Sequence, residues 1–149
     1  MTHESPRAEA LMTRFFAAEQ KYMSSPPETR DINTILAVCS THFKLHQSPD
    51  LPYGGVYTGH SGMKTWCEEF VADFNKVDVS DIRILERGDE VVVLSLLTLR
   101  VRKTGEELSY PLVQHAKVDW SEEKLTEMRP FYWNVRLLNE ALGRAKYGG

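Results

Sequence analysis

The chain has 149 residues, with 18 Lys and Arg against 21 Asp and Glu and a formal charge of -3. That length suits one domain large enough to bury its own core without staples. The near-neutral balance speaks against nucleic acid and against an anionic membrane surface, since both call for a basic face.

The first element opens at Ser5-Pro6, an N-cap followed by proline at the first helical position. Leu11, Phe15, Ala18 and Tyr22 recur at helical spacing beside Met12, Phe16 and Met23, which predicts a long amphipathic helix. Ser24-Ser25-Pro26-Pro27 reads as a loop. A short helix is expected after Asp31, with Ile32, Ile35, Leu36 and Cys39 on one side.

The period then changes to two. Over Thr41–Ser48 it sets Phe43, Leu45 and Gln47 on one face and Lys44, His46 and Ser48 on the other. The loop from Pro49 to Gly55 ends this strand, and a short strand, Val56–Thr58, leads through Gly59 into another helix. Met63, Trp66, Cys67, Phe70, Val71 and Phe74 give that helix a broad apolar stripe.

Four strand-like runs follow: Val77–Glu86, Val91–Arg102, Leu108–Trp120 and Lys124–Trp133. Arg87-Gly88-Asp89, Lys103–Glu106 and Ser121–Glu123 mark the turns between them. In the third run Leu108, Tyr110, Leu112, Gln114, Ala116 and Val118 share one face, opposite Ser109, His115, Lys117 and Asp119. A short helix from Asn134, with Val135, Leu138 and Leu142, closes the chain. Helices early and consecutive strands late predict an α+β fold, with helices packed on one face of a curved, mostly antiparallel sheet.

No apolar run approaches the ~20 residues that cross a bilayer. The longest, Val91–Leu99, is interrupted by Ser95 and Thr98. The first residues include Glu4, Arg7 and Glu9 and lack the apolar segment of a signal peptide. Cys39 and Cys67 are the only cysteines. The expectation is a reduced, cytoplasmic protein.

The element order, with Leu51-Pro52-Tyr53-Gly54-Gly55-Val56-Tyr57-Thr58-Gly59 at the strand-to-helix junction and the ending Met128-Arg129-Pro130-Phe131-Tyr132-Trp133-Asn134, resembles the SnoaL-like branch of the nuclear transport factor two-like (cystatin-like cone) superfamily. The likeness runs from about residue 7 to residue 142 and treats residues 1–149 as one domain. It implies a cone whose concave face and helices enclose a pocket. It does not by itself imply one activity, because this scaffold hosts isomerases, cyclases, hydrolases, dehydratases, adaptors and plain binders.

The alternation supplies a concave face of Phe43, Leu45, Gln47, Leu112, Gln114 and Ala116. On the implied cone, the helices add Phe15, Phe16, Tyr22, Trp66 and Phe70, and Tyr53 and Tyr57 come from the loop and short strand. Such a lining suits a small, apolar ligand. Ketosteroid isomerase, a relative on this fold, uses a carboxylate base on its first strand and a protonated carboxyl on a later one. The resemblance puts Gln47 and Gln114 at those positions. Glutamine can bind a carbonyl but takes up no proton near neutral pH, so that mechanism does not transfer unchanged. The Asp-Arg-Asp arrangement of the epoxide-hydrolase relatives has no counterpart on this face.

The remaining candidates are Tyr53 and Tyr132 as oxyanion donors and His46 as a base with near-neutral pKa. Strict alternation turns His46 and His115 outward, and only a slip in register would bring either inside. Arg129 alternates with Met128 and Pro130 and faces away from the pocket. Cys39, His42 and His46 have a metal-like spacing but lack a fourth ligand, so neither metal nor cofactor is expected.

The outer sheet face, with Val92, Leu94, Leu96, Val113, Phe131 and Trp133, is apolar enough to predict a homodimer. The expected function is a cofactor-free isomerase, cyclase or hydrolase acting on a hydrophobic cyclic or polyketide-like metabolite. Gln47, Gln114, Tyr53 and Tyr132 would hold the substrate, and His46 or a bound water would move the proton. A non-catalytic ligand binder and a protein-interaction module are the alternatives. A carboxyl or histidine with a displaced pKa inside the pocket favours the enzyme; amides and hydroxyls alone favour the binder.

Overall fold

The computed structural model describes residues 5–143. Helix α1 (Pro6–Ser24) starts at Pro6, and Ser5 contributes its carbonyl rather than its hydroxyl as the cap, accepting from Glu9 N at 2.8 Å. A single turn, α2 (Asn33–Leu36), follows the proline-rich loop. Strand β1 (Cys39–Gln47) and the short β2 (Gly55–Thr58) precede α3 (Gly59–Asp73). Then come β3 (Phe74–Arg87), β4 (Glu90–Val101), β5 (Glu107–Asp119) and β6 (Lys124–Tyr132), and α4 (Val135–Ala141) ends the fold.

The six strands form one curved sheet in the order β2-β1-β6-β5-β4-β3. The expected α+β architecture is therefore present, with the last four strands as an antiparallel meander. One join is parallel: β1 lies beside β6, with Leu45 opposite Met128. Helix α1 packs over β3 and α3 over β1, so both helices cover the same sheet face. The core lies between them, with Phe15, Phe43, Phe70, Phe74, Met12 and Met63 fully enclosed.

Several boundaries differ from the sequence reading. Cys39 opens β1 rather than completing a helix face, because Leu125 N donates to Val38 O and Cys39 pairs with Leu125. Phe74 is the first residue of β3 rather than the last of the α3 stripe. Its N–H still caps the helix at Phe70 O, but its backbone is extended and pairs with Val101. The long β3 bends where its register slips between Ser80 and Arg83, and Asp81 adopts φ 51° there.

The N-terminus of α1 is tied to the sheet by Arg7. Its Nε donates to Glu86 at 2.8 Å, and its guanidinium lies 4.2 Å from the Trp120 ring centre. At the other end of the molecule, Asn134 caps α4 by accepting from Leu137 N, and Asn139 donates to Asp50 O at 3.0 Å. The second contact holds the loop after β1 against the closing helix.

Candidate functional site

A cavity opens between the two long helices and the sheet. Helix α1 contributes Phe15 and Glu19, α3 contributes Met63, Trp66 and Phe70, and the strands contribute Gln47, Gln114 and Tyr132 over an apolar floor. The void and its outlet to solvent measure about 430 Å3, but only about 30 Å3 admits the centre of a water molecule. That is room for one or two waters. It is too small for a ring-sized molecule with the side chains as they stand, and Met63 and Met128 are the adaptable part of the wall.

Glu19 is the only carboxyl on that wall among the described residues. It sits in the middle of α1, one turn after Phe15, and only 8% of it is exposed. None of the described residues offers it a hydrogen bond or a counter-ion. Burial alone pushes its pKa up to about 8, with no cation to offset the desolvation. Most Glu19 side chains are therefore neutral at pH 7, and a minority carry charge.

Two phenols form the polar end. Tyr53 donates to Tyr132 Oη at 2.7 Å, and the Gln47 amide supplies a second donor to the same oxygen. An oxygen that accepts twice directs its own proton elsewhere, and Tyr132 lines the cavity. Burial raises both phenols well above their ordinary range, so they act as donors and not as phenolates at neutral pH. Behind them, Tyr53 meets Phe70 edge-on at 5.2 Å between ring centres, and Trp66 tilts against Phe70 at 5.0 Å.

Two buried polar atoms on the cavity wall have no partner: Gln47 Oε1 and Trp66 Nε1. Leaving such a group unpaired costs roughly 1–3 kcal/mol. Ser40 Oγ and Tyr110 Oη are also unpaired, but they lie outside the lining.

The family model of the SnoaL-like domain matches residues 12–128. The chain belongs to the SnoaL-like domain family. Among curated proteins no relative matches it. Solved structures do. An NTF2-like protein from Burkholderia xenovorans is 18% identical, with a TM-score of 0.70 over 93% of this chain and 98% of that one. TerC, co-crystallized with polyporic acid, is 20% identical, with a TM-score of 0.74 over 93% of this chain and 99% of its own. A Shewanella denitrificans protein named as a candidate SnoaL-like polyketide cyclase is 14% identical, with a TM-score of 0.70 over 94% of this chain and 100% of that one. Identities this low establish a common fold.

In this SnoaL-like domain the strand alternation placed its residues well. Leu45, Gln47, Leu112, Gln114 and Tyr132 line the cavity, as do Phe15, Trp66 and Phe70 from the helices. Phe43 and Ala116 point the same way but are sealed in the core. Tyr53 reaches the site only through Tyr132 and the aromatic wall.

Four expected site residues lie elsewhere. Phe16 is buried on α1 beside Phe15 but faces away from the cavity. Tyr22 borders an outer groove, with the Arg30 guanidinium 5.6 Å from its ring centre. Tyr57 spends its hydroxyl on Tyr53 O and Glu69. His46 is held on the outer sheet face by Glu127 at 2.8 Å, so the structure does not bring it to the cavity. His115 likewise pairs with Glu90 at 2.8 Å.

The residue that sequence reasoning missed is Glu19. Its signal was available: a carboxyl at the fourth position after Phe15, inside an otherwise apolar stripe. Among the described residues no cluster of His, Cys, Asp and Glu could hold a metal, and His60 reaches Cys39 through the backbone carbonyl. The thiols are inert by position, since burial pushes Cys39 up to about 12 and raises Cys67 as well. No described helix is long and apolar enough to cross a membrane.

Proposed function

We propose that this SnoaL-like protein is a cofactor-free enzyme that moves a proton on a hydrophobic cyclic or polyketide-like carbonyl compound, as in an isomerisation or ring closure. The observation that carries the reading is Glu19: a carboxyl without a partner on the wall of an apolar cavity, with a pKa of about 8. A group poised near the working pH can both accept and return a proton. The resemblance puts Gln47 and Gln114 where ketosteroid isomerase has carboxyls, and glutamine takes up no proton, which leaves Glu19 of α1 as the acid–base group on the wall.

The chemistry follows from the wall. The ionised fraction of Glu19 removes a proton from the carbon next to the substrate carbonyl. The electron pair moves onto the carbonyl oxygen, giving an enolate. The uncommitted Tyr132 proton donates a hydrogen bond to that oxygen, and Tyr53 and Gln47 steady the phenol. The now neutral Glu19 returns the proton to a second carbon; in a ring closure the enolate carbon instead attacks a second carbonyl of the substrate, and Glu19 protonates the alkoxide that forms. The names of TerC's co-crystallized compound and of the Shewanella protein support this ligand class.

The test is hydrogen–deuterium exchange at the acidic carbon of small cyclic ketones, followed by NMR in heavy water. The wild-type protein accelerates exchange, with a rate that climbs with pH up to about 8 as Glu19 ionises. Glu19→Gln loses roughly a hundredfold or more, while ketone binding persists. Equal exchange in both proteins would remove Glu19 from the mechanism. A non-catalytic binder is the second reading, favoured by the amides at Gln47 and Gln114. It predicts binding without acceleration in either protein.

We also propose that the outer sheet face pairs with a second copy of this chain. Leu85, Val92, Leu94, Val113, Phe131 and Trp133 share that face or border it, and Phe131 and Trp133 are 55% and 77% exposed. Polar groups share its rows, with His115 and Arg129 in register with Val92, and Lys117 beside Glu127 in the next row. Groups of both signs beside an apolar strip suit two-fold self-pairing.

A further inference from the structure

Gln47 and Trp66 face the cavity from opposite walls, one from the sheet and the other from α3. Each is at least nine-tenths buried, at 5% and 4% exposed. Each leaves one polar atom unpaired, and the two atoms have opposite character: Gln47 Oε1 only accepts and Trp66 Nε1 only donates. The other two tryptophans need no such partner, because Trp120 donates to Gly88 O at 2.8 Å and Trp133 stands in solvent.

We infer that the ligand is a neutral ring compound carrying both a hydroxyl and a carbonyl: the hydroxyl donates to Gln47 Oε1, and the carbonyl accepts from Trp66 Nε1 on the lone pair that Tyr132 does not use. One or two waters can pair these atoms in the cavity, so a ligand that expels them must replace both hydrogen bonds. Gln47 already gives its amide protons toward Tyr132, which fixes its oxygen as the end left for a ligand donor. The other polar groups on the wall, Gln114, Tyr132 and the neutral form of Glu19, carry no charge to pair with a charged ligand, and the rest of the wall is apolar. A hydrocarbon leaves both atoms unpaired. A simple ketone or a simple phenol leaves one. This inference rests on the reading of the cavity as a ligand site and is independent of whether catalysis follows.

The experiment uses four single-ring probes of similar size: toluene, phenol, acetophenone and meta-hydroxyacetophenone. Binding to the full chain is measured by calorimetry, and the three indole N–H signals are followed by NMR, with Trp66→Phe identifying its own signal. The expected result is an order of affinity in which meta-hydroxyacetophenone exceeds acetophenone and phenol by about tenfold each, and toluene is weakest. The Trp66 indole signal moves with the two carbonyl probes and not with phenol or toluene. Trp66→Phe erases the carbonyl advantage alone, and Gln47→Met erases the hydroxyl advantage alone. Equal affinities for all four probes, or an unmoved Trp66 signal, overturn the pairing and leave the cavity reading standing. Failure of all four to bind overturns both.

Discussion

Glu19 occupies a position where the α1 stripe calls for an apolar side chain, and this bears on stability as well as on the proposed proton transfer. In the unfolded chain its carboxyl titrates near 4.5, and in the folded protein near 8. Between those values the unfolded state sheds a proton that the folded state keeps. Stability is therefore fully present below pH 4.5, falls as pH rises toward 8, and levels off above it. The loss amounts to roughly 2–5 kcal/mol. Chemical denaturation at acid and alkaline pH checks the sign: Glu19→Gln is the more stable protein at pH 9, and its advantage disappears at pH 5. Cys39, Cys67, Tyr53 and Tyr132 are the groups that sense this charge, and burial keeps each protonated through that range. At this scale the sequence was legible where the period is two. Gln47 and Gln114 were fixed by alternation alone. Phe16 and Tyr22 were not, because a helical stripe wider than 100° marks what is buried without saying which part meets a cavity; Tyr57, on the four-residue β2, was not because its hydroxyl turns to Tyr53 O and Glu69.

The elements were legible in kind and order, and their joins were not. Local pattern cannot see that β1 runs parallel to β6, since that pairing depends on residues far apart in the chain. Nor can it see why α3 begins as it does. Gly62 lies in its first turn, where propensity favours alanine by about 1 kcal/mol. A Cβ there would come within 2.7 Å of the Tyr57 carbonyl carbon. Contact therefore outweighs propensity. Gly62→Ala is expected to lower stability by roughly 1–3 kcal/mol in urea denaturation, because α3 must lift from the strand it caps. A gain in stability would show that the helix can shift at no cost.

The whole molecule divides its polarity between two faces of one sheet. The inner face carries the cavity, and the outer face carries the apolar strip, with polar side chains in register beside it. Sedimentation at micromolar concentration is expected to show a species of twice the chain mass, and Phe131→Asp with Trp133→Glu to give the single chain with the fold retained by circular dichroism. A wild-type protein that sediments as one chain overturns the pairing. The outer strip was legible from the same alternation that placed the glutamines. The tightness of the cavity was not, because it depends on how side chains from seven elements meet.

The parallel join of β1 to β6 also sets an order in time. His46 and Glu127 lie 81 residues apart, and the strands that carry them become neighbours only once β6 has been made. During synthesis from the N-terminus, β1 has β2 on one edge and nothing on the other until β6 arrives. The backbone groups along that edge, beside Phe43 and Leu45, stay unpaired throughout the interval. A nascent chain stalled before Lys124 thus presents an open strand edge beside an apolar face, the combination that recruits chaperones or seeds aggregation.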